Sequence, residues 1–203
     1  MTETISAYEQ FFPASCTFET PRVILRLLEP EDYDQFLPLA AAKDTWTYFV
    51  KDLSDPHALQ NWVYQALQER AQHKRMPFTI IDRDTRQVCG STSFGNISFY
   101  DQRIEIGWSW LGPDYRGMGV NRHAKFALLS YAFEVMKMER VEVKTDSLNE
   151  RAKAALLKVG LIPEGVLRSH MLMQHGRRRD SAYFSLLRSE WKERKESFFP
   201  DLL

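Results

Sequence analysis

Apolar positions recur along this chain with two different periods. Val23, Leu25 and Leu27 fall on every second residue of 21–27, which predicts a strand with those three on one face. Pro30 suits the first turn of a helix running to about Ala42, since a proline lacks the N–H that would go unpaired there. A loop over 43–53 carries Trp46, Tyr48 and Phe49. Ser54 or Asp55 is placed to cap a second helix, with Pro56 just inside it. Leu59, Trp62, Val63, Ala66 and Leu67 then follow at helical spacing. From Pro77 the texture changes. Strands at 78–81, 87–99 and 103–111, joined by short turns, predict an antiparallel meander, with Gly90 and Gly95 as bends or bulges.

Residues 112–119 form a Gly/Pro loop. Val120, Ala124, Leu128, Tyr131 and Val135 predict a helix to about Lys137, followed by a strand at 140–145. Asn149 opens a helix that ends near Val159, with Gly160 just past its end. Two last strands, near 163–174 and 181–188, flank a turn at His175-Gly176. Residues 1 to about 19 show no clear period and read as an arm. The order β-α-α-β-β-β-α-β-α-β-β predicts a mixed α/β (α+β) fold, one domain over 1–203 with no linker and no repeat.

Composition narrows the function classes. The chain has 203 residues, with 27 Lys+Arg against 27 Asp+Glu, and 44% are hydrophobic. That combination excludes intrinsic disorder, and zero net charge removes the simplest case for a nucleic-acid binder. Two cysteines, Cys16 and Cys89, cannot build a disulfide framework or a four-Cys zinc site, and the five histidines lack metal-ligand spacing. No run approaches the ~20 apolar residues that cross a bilayer. Met1-Thr2-Glu3-Thr4-Ile5 lacks the basic and apolar regions of a secretory signal, so a cytoplasmic enzyme or binding protein is expected.

The chemistry-bearing stretch is 108–121, Trp-Ser-Trp-Leu-Gly-Pro-Asp-Tyr-Arg-Gly-Met-Gly-Val-Asn. It predicts a strand, a glycine loop and a helix start. Backbone N–H groups at such a junction point outward and the helix dipole adds partial positive charge, which makes a cradle for phosphate. Gly117 and Gly119 permit positive φ and close approach of a ligand. Arg116, Arg122 and Lys125 are candidates for charge-assisted bonds to further phosphate oxygens. The loop is no P-loop, having no Gly-x-x-x-x-Gly-Lys-Ser/Thr, and no dinucleotide fingerprint, since Arg122 stands where the third glycine belongs.

Residues 116–121 resemble the Arg/Gln-x-x-Gly-x-Gly/Ala signature of the GNAT superfamily of acyl-CoA-dependent N-acetyltransferases. Arg116 and Gly119 match; Asn121 replaces the final Gly/Ala. The flanking segments 104–108, 141–146 with Asn149, and 160–168 are similar to the ribosomal-protein N-terminal acetyltransferase branch, and the element order matches along roughly 20–190. The resemblance implies the acyl-CoA N-acyltransferase fold: a mostly antiparallel central sheet flanked by helices, whose fourth and fifth strands, about 104–111 and 140–145, splay apart. Splayed strands leave N–H and C=O groups unpaired, and pantetheine amides could pair with them as an added strand would.

The implied co-substrate is acetyl-CoA, with no metal. Its diphosphate would rest on the amides of Met118, Gly119, Val120 and Asn121 beside Arg116 and Gly117. Trp108, Ser109, Trp110 and Leu111 would flank the acyl end, with backbone N–H groups placed for an oxyanion, and Asn149 would bind the pantetheine arm. Glu105 is the first candidate for general base; the competing reading is a solvent-facing carboxylate paired with Arg103 or a cross-strand lysine. Tyr183 is the candidate acid toward the leaving thiolate, with sheet packing as its alternative. The ribosomal branch commonly has a serine acid three residues after the asparagine; here that residue is Ala152.

Other features read as structural. Asp146 and Ser147 read as helix caps, Arg177-Arg178-Arg179 as a solvated turn, Trp108 and Trp110 as core, Cys89 as a buried small hydrophobe, and His123 as solvated or cofactor-adjacent. Trp46, Tyr48 and Phe49 divide evenly between acceptor pocket and core. The expected activity is direct transfer of acetyl to a primary amine, on a small molecule or a peptide. The alternative is a non-catalytic acyl-CoA sensor. Neither a membrane nor nucleic acid is expected as partner, while the N-terminal arm leaves a homodimer contact open.

Overall fold

The computed structural model describes residues 7–203, so the reading of Met1 to Ile5 lies outside the described residues. The predicted first strand is β2 (Val23–Leu27), whose Val23 and Leu25 are fully buried. The predicted arm contains a short helix, α1 (Ala7–Phe11), and a strand, β1 (Thr17–Glu19), which pairs with β2. Helices α2 (Asp32–Ala40) and α3 (Pro56–Ala71) follow. Asp55 caps α3 by accepting from the Ala58 N–H at 2.7 Å. The meander is β3 (Arg75–Asp82), β4 (Val88–Ser98) and β5 (Arg103–Leu111). Helix α4 (Val120–Ser130) runs into a turn of π-helix at Tyr131–Val135. Then come β6 (Arg140–Asp146), α5 (Glu150–Leu157), β7 (Ile162–Leu172), β8 (Arg178–Leu187) and a helix that the pattern did not reveal, α6 (Arg188–Phe198).

Among the described residues the strands form one sheet of eight in the order β1-β2-β3-β4-β5-β6-β8-β7. Every neighbouring pair is antiparallel except β5 and β6, which run parallel. Side-chain alternation divides the sheet into two faces. On one face Phe78, Phe94, Ile104, Ile106, Val141 and Phe184 pack under Val120, Ala124 and Leu128 of α4. On the other, Leu28, Val88 and Trp110 pack with Phe36 of α2, Leu59 and Trp62 of α3, and Trp46. Helices α2 and α3 cover only the β2–β5 half of that second face, and the rest carries the polar groups described next. No described helix is long and apolar enough to cross a membrane.

Candidate active site

Strands β5 and β6 pair through only three positions, Arg103↔Arg140, Ile104↔Val141 and Glu105↔Glu142. Beyond Glu105 they run on without pairing to each other, so their facing N–H and C=O groups lack ladder partners. At the C-terminal end of β5 the chain turns through Pro113–Tyr115 into the glycine loop. Gly117 (φ 76°) and Gly119 (φ 81°) both sit in the left-handed region, and Gly119 immediately precedes α4. No side chain caps α4, which leaves its first N–H groups available to a ligand. A Cβ on Gly117 would meet nothing within 4 Å, so glycine there answers a backbone demand beside open space.

A cavity of about 550 Å³ opens where the strands part. It brings together Glu105, the whole run Trp108 to Leu111, Arg116, Gly117, Asn121 and Asn149. Met118, Gly119, Val120 and Tyr183 are not among its lining. Met118 is exposed and Val120 is buried in the core beneath α4.

Glu105 is 4% exposed and faces this cavity. Its Oε2 accepts from Nδ2 of Asn96 at 2.6 Å and from Nζ of Lys144 at 2.8 Å. The anticipated cross-strand lysine is therefore present, but the pair stands in a cavity and not in open solvent; Arg103 pairs instead with Asp101. A Cβ at Gly107 would lie 2.9 Å from Oε1 of Glu105, so glycine at 107 makes room for the carboxylate. Alternation around Ile104–Ile106 and Val141–Val143 places Glu105 and Lys144 on one face, a signal that could have disclosed Lys144 beforehand.

Strand β5 is bulged. Ser93 pairs with Gly107 and Ser91 with Trp110, so Trp108 and Ser109 together oppose one residue. Trp108 takes φ 52° and lays its ring over Gly95, where a Cβ would collide at 2.4 Å. Trp110 packs edge-on against Phe36 and Trp62, and tilted against Trp46, so its ring belongs to the core as expected. Ser109 turns the other way, toward α4. Its Oγ lies 2.8 Å from Oγ1 of Thr92 and accepts from Nζ of Lys125 at 3.2 Å. Lys125 is buried, which pulls its pKa down to about 8.

Several side chains are committed differently from the sequence reading. Arg116 donates to Asp44 at 2.9 Å and to Thr45, and so staples the glycine loop to the 43–46 turn. Arg122 points away from the loop, to Asp201 at 2.8 Å, and Lys125 reaches Ser109 in place of a phosphate position. Asn149, not Asp146 or Ser147, caps α5: its Oδ1 accepts from Ala152 N–H at 3.0 Å. Asp146 is fully buried, bonded to Leu148 N–H at 3.0 Å and ion-paired with Arg177. Arg178 is exposed and bonds Ser169, whereas Arg179 is buried at 6% exposure and lines the cavity, so of the arginine run Arg179 departs from a solvated turn. Of the 43–53 aromatics, Trp46 is core, while Tyr48 and Phe49 line the cavity.

Tyr183 lies on β8 opposite Lys144, edge-on to His170 at 5.8 Å, and burial pushes its phenol up. His123 bonds Oγ1 of Thr20 at 3.1 Å, with its pKa lowered by burial. Ala152 does line the cavity, so the place of a serine acid is filled by a methyl group. Among the described residues no three of His, Cys, Asp and Glu gather as a metal-ligand set.

A parallel pair that parts in mid-sheet beside an uncapped helix defines an acyl-CoA N-acyltransferase fold, and comparison with known proteins agrees. Residues 22–162 match the family model described as Acetyltransferase (GNAT) domain, and the chain belongs to this family of acyltransferases. A curated relative, "Putative ribosomal N-acetyltransferase YdaF" of Bacillus subtilis (strain 168), is 25% identical over 182 residues, covering 85% of this chain and 95% of the relative. The crystal structure of a GCN5-related N-acetyltransferase from Brucella melitensis superposes with a TM-score of 0.84 at 26% identity, over 92% of this chain and 85% of that one. Ribosomal-protein-S5-alanine acetyltransferase from Vibrio fischeri shares the fold, with a TM-score of 0.70 at 19% identity over 87% and 99% of the two chains.

Proposed function

We propose that this protein acts as one cytoplasmic catalytic domain that transfers acetyl from acetyl-CoA to a primary amine, on a small molecule or at a protein N-terminus, by direct attack. The observation that carries this reading is the three-residue β5–β6 seam, which opens at Glu105 into a cavity beside the glycine loop. The residues present fit the co-substrate. The amides from Met118 to Asn121 suit a diphosphate, and the unpaired edges of β5 and β6 suit the two pantetheine amides. The side-chain amide N–H of Asn149 remains for the same arm, because its oxygen serves as the cap.

Acetyl-CoA supplies an acetyl group already activated as a thioester. The chain must then manage protons. An α-amine near pKa ~8 is far easier to free than a lysine near ~10.4, and the name of the curated relative also supports including a protein N-terminus among the acceptors. Glu105, held by Asn96 and Lys144, is the group to accept the amine's proton, directly or through one water. Backbone N–H groups around the Trp108–Trp110 bulge would face the carbonyl oxygen as it gains charge. Tyr183 is the proposed donor to the departing thiolate.

The test is thiol release from acetyl-CoA with a panel of amines and N-terminal peptides, alongside calorimetry with CoA. Turnover that falls and changes its pH profile in E105Q supports the reading. Tight CoA binding with no turnover on any acceptor would make the protein an acyl-CoA sensor, the alternative that Ala152 in the cavity wall favours.

A further inference from the structure

Two buried guanidiniums line the cavity, each with a nitrogen that has no hydrogen-bond partner. Arg179 is 6% exposed, its side chain makes no hydrogen bond among the described residues, and its Nε is buried and unpartnered. Asp146, its neighbour, is ion-paired with Arg177. Arg75 is 3% exposed and sandwiched between the rings of Trp62 (4.9 Å) and Trp108 (4.7 Å). Its Nε donates to Ser93 at 2.8 Å, its Nη1 reaches only a half-exposed Glu69 at 3.4 Å, and its Nη2 is buried and unpartnered. Lys144 and Arg116, by contrast, are ion-paired, with Glu105 and Asp44. A guanidinium stays charged in any protein environment, so an unpartnered nitrogen on a buried one favours an anionic group that enters the cavity.

The co-substrate's phosphates are not that partner. Alternation places Arg75 with Thr79 and Ile81, and Arg179 with Ser181 and Tyr183, on the face that carries Glu105. The glycine loop leads into α4, which packs on the opposite face over Ile104 and Ile106. The Glu105 face is thereby left for the acceptor.

Resting on the transferase reading above, we infer that the acceptor is an amine whose own molecule bears a carboxylate, bound by Arg179. A planar guanidinium matches a carboxylate through two parallel N–H···O bonds. Two molecular sources share this chemistry: a free amino acid, and a peptide with an acidic residue next to its N-terminus. Polyamines and other polycationic acceptors are disfavoured by the same two charges.

The test uses the full-length protein with acetyl-CoA and acceptors paired with and without the carboxylate, with rates compared per free amine because the amide lowers the α-amine pKa: glycine against glycinamide, and N-terminal peptides with Asp against Asn at the second residue. The expected result is a tenfold or greater kcat/KM preference for the carboxylate form in one series, and that series names the source. In R179Q the preference ratio should fall toward one while R75Q keeps it, with KM for acetyl-CoA within twofold of wild type; circular dichroism checks folding. Equal rates for acid and amide, or a ratio unchanged in R179Q, overturn the inference while leaving the transferase reading intact.

A second measurement needs no turnover. Calorimetry of the CoA-loaded protein with N-acetylglycine and N-acetylglycinamide should detect the acid alone. Binding of the acid with no turnover on any amine would sink the transferase reading yet keep the anion site. Absence of binding by N-acetylglycine, and by the acetylated Asp peptide, would remove the site.

Discussion

The two sides of β5 are built to opposite ends. Toward β4 the strand is paired along most of its length, from Ser98↔Arg103 to Gly90↔Leu111. Toward β6 it is paired for three positions and then bare. The paired side meets a cluster of large rings around Trp110. The bare side meets Glu105, Lys144 and Lys125, which are polar groups placed where packing alone would have put leucine. One strand thus serves as an anchor on one edge and as an open template on the other. Substitutions on the two sides should fail in different ways.

The largest effect is expected on the anchored side. Trp110→Ala removes a ring packed among Phe36, Trp46 and Trp62 and should cost about 3–5 kcal/mol in urea unfolding. At temperatures where the variant remains folded, CoA affinity should change far less; an equal loss of affinity would blur the distinction between the two sides.

On the open side, Lys125→Met should stabilise the protein at neutral pH. Burial pulls the folded-state pKa of Lys125 to about 8, below its unfolded value near 10.5. Folded and unfolded chains both bind the proton below pH 8, where the buried charge is a burden. Between those two values only the unfolded chain holds the proton, so this group's contribution to stability rises with pH. The advantage of the variant, on the order of 3 kcal/mol near pH 7, should therefore shrink as pH rises from 8 toward 10.5. Paired unfolding curves across that window provide the check, and a gap that does not narrow would mean that Lys125 is charged in the folded protein throughout.

Glu105→Gln keeps the shape and the Asn96 contact but removes the proposed base and the carboxylate that pairs with Lys144. It should lower kcat about 100-fold, with a fall in Tm from the broken ion pair. A variant that loses stability and retains its rate would move Glu105 from the chemistry to the architecture. The smallest effect is expected at Asn149→Ala, about 1 kcal/mol from the lost cap of α5, together with a modest rise in KM for acetyl-CoA.

How much of this was legible depended on whether a residue's partner is near in sequence. Strands β2 to β6 could be read because Val23–Leu25, Ile104–Ile106 and Val141–Val143 alternate cleanly. The glycine loop could be read because positive φ leaves its mark in the residue type itself. The bulge at Trp108–Ser109 could not, because it exists only in register with β4, and it sends Ser109 to α4 while both tryptophans remain on the other face. Helix α6 has Trp191 as its one buried residue amid charges, so no apolar stripe announces it. Arg179 looked like part of a surface run because burial across β7 and β8 leaves no trace in three consecutive arginines. Asp146 resembled a cap by its place after a strand, yet an ion pair with half-exposed Arg177 claims it and the cap falls to Asn149.

Gly107 and Glu105 are sterically coupled. A methyl group at 107 would press on Oε1 of Glu105 and make the carboxylate shift against Asn96 and Lys144, which hold its Oε2. G107A is therefore a one-carbon lever on the proposed base that leaves the base's own side chain chemically unchanged.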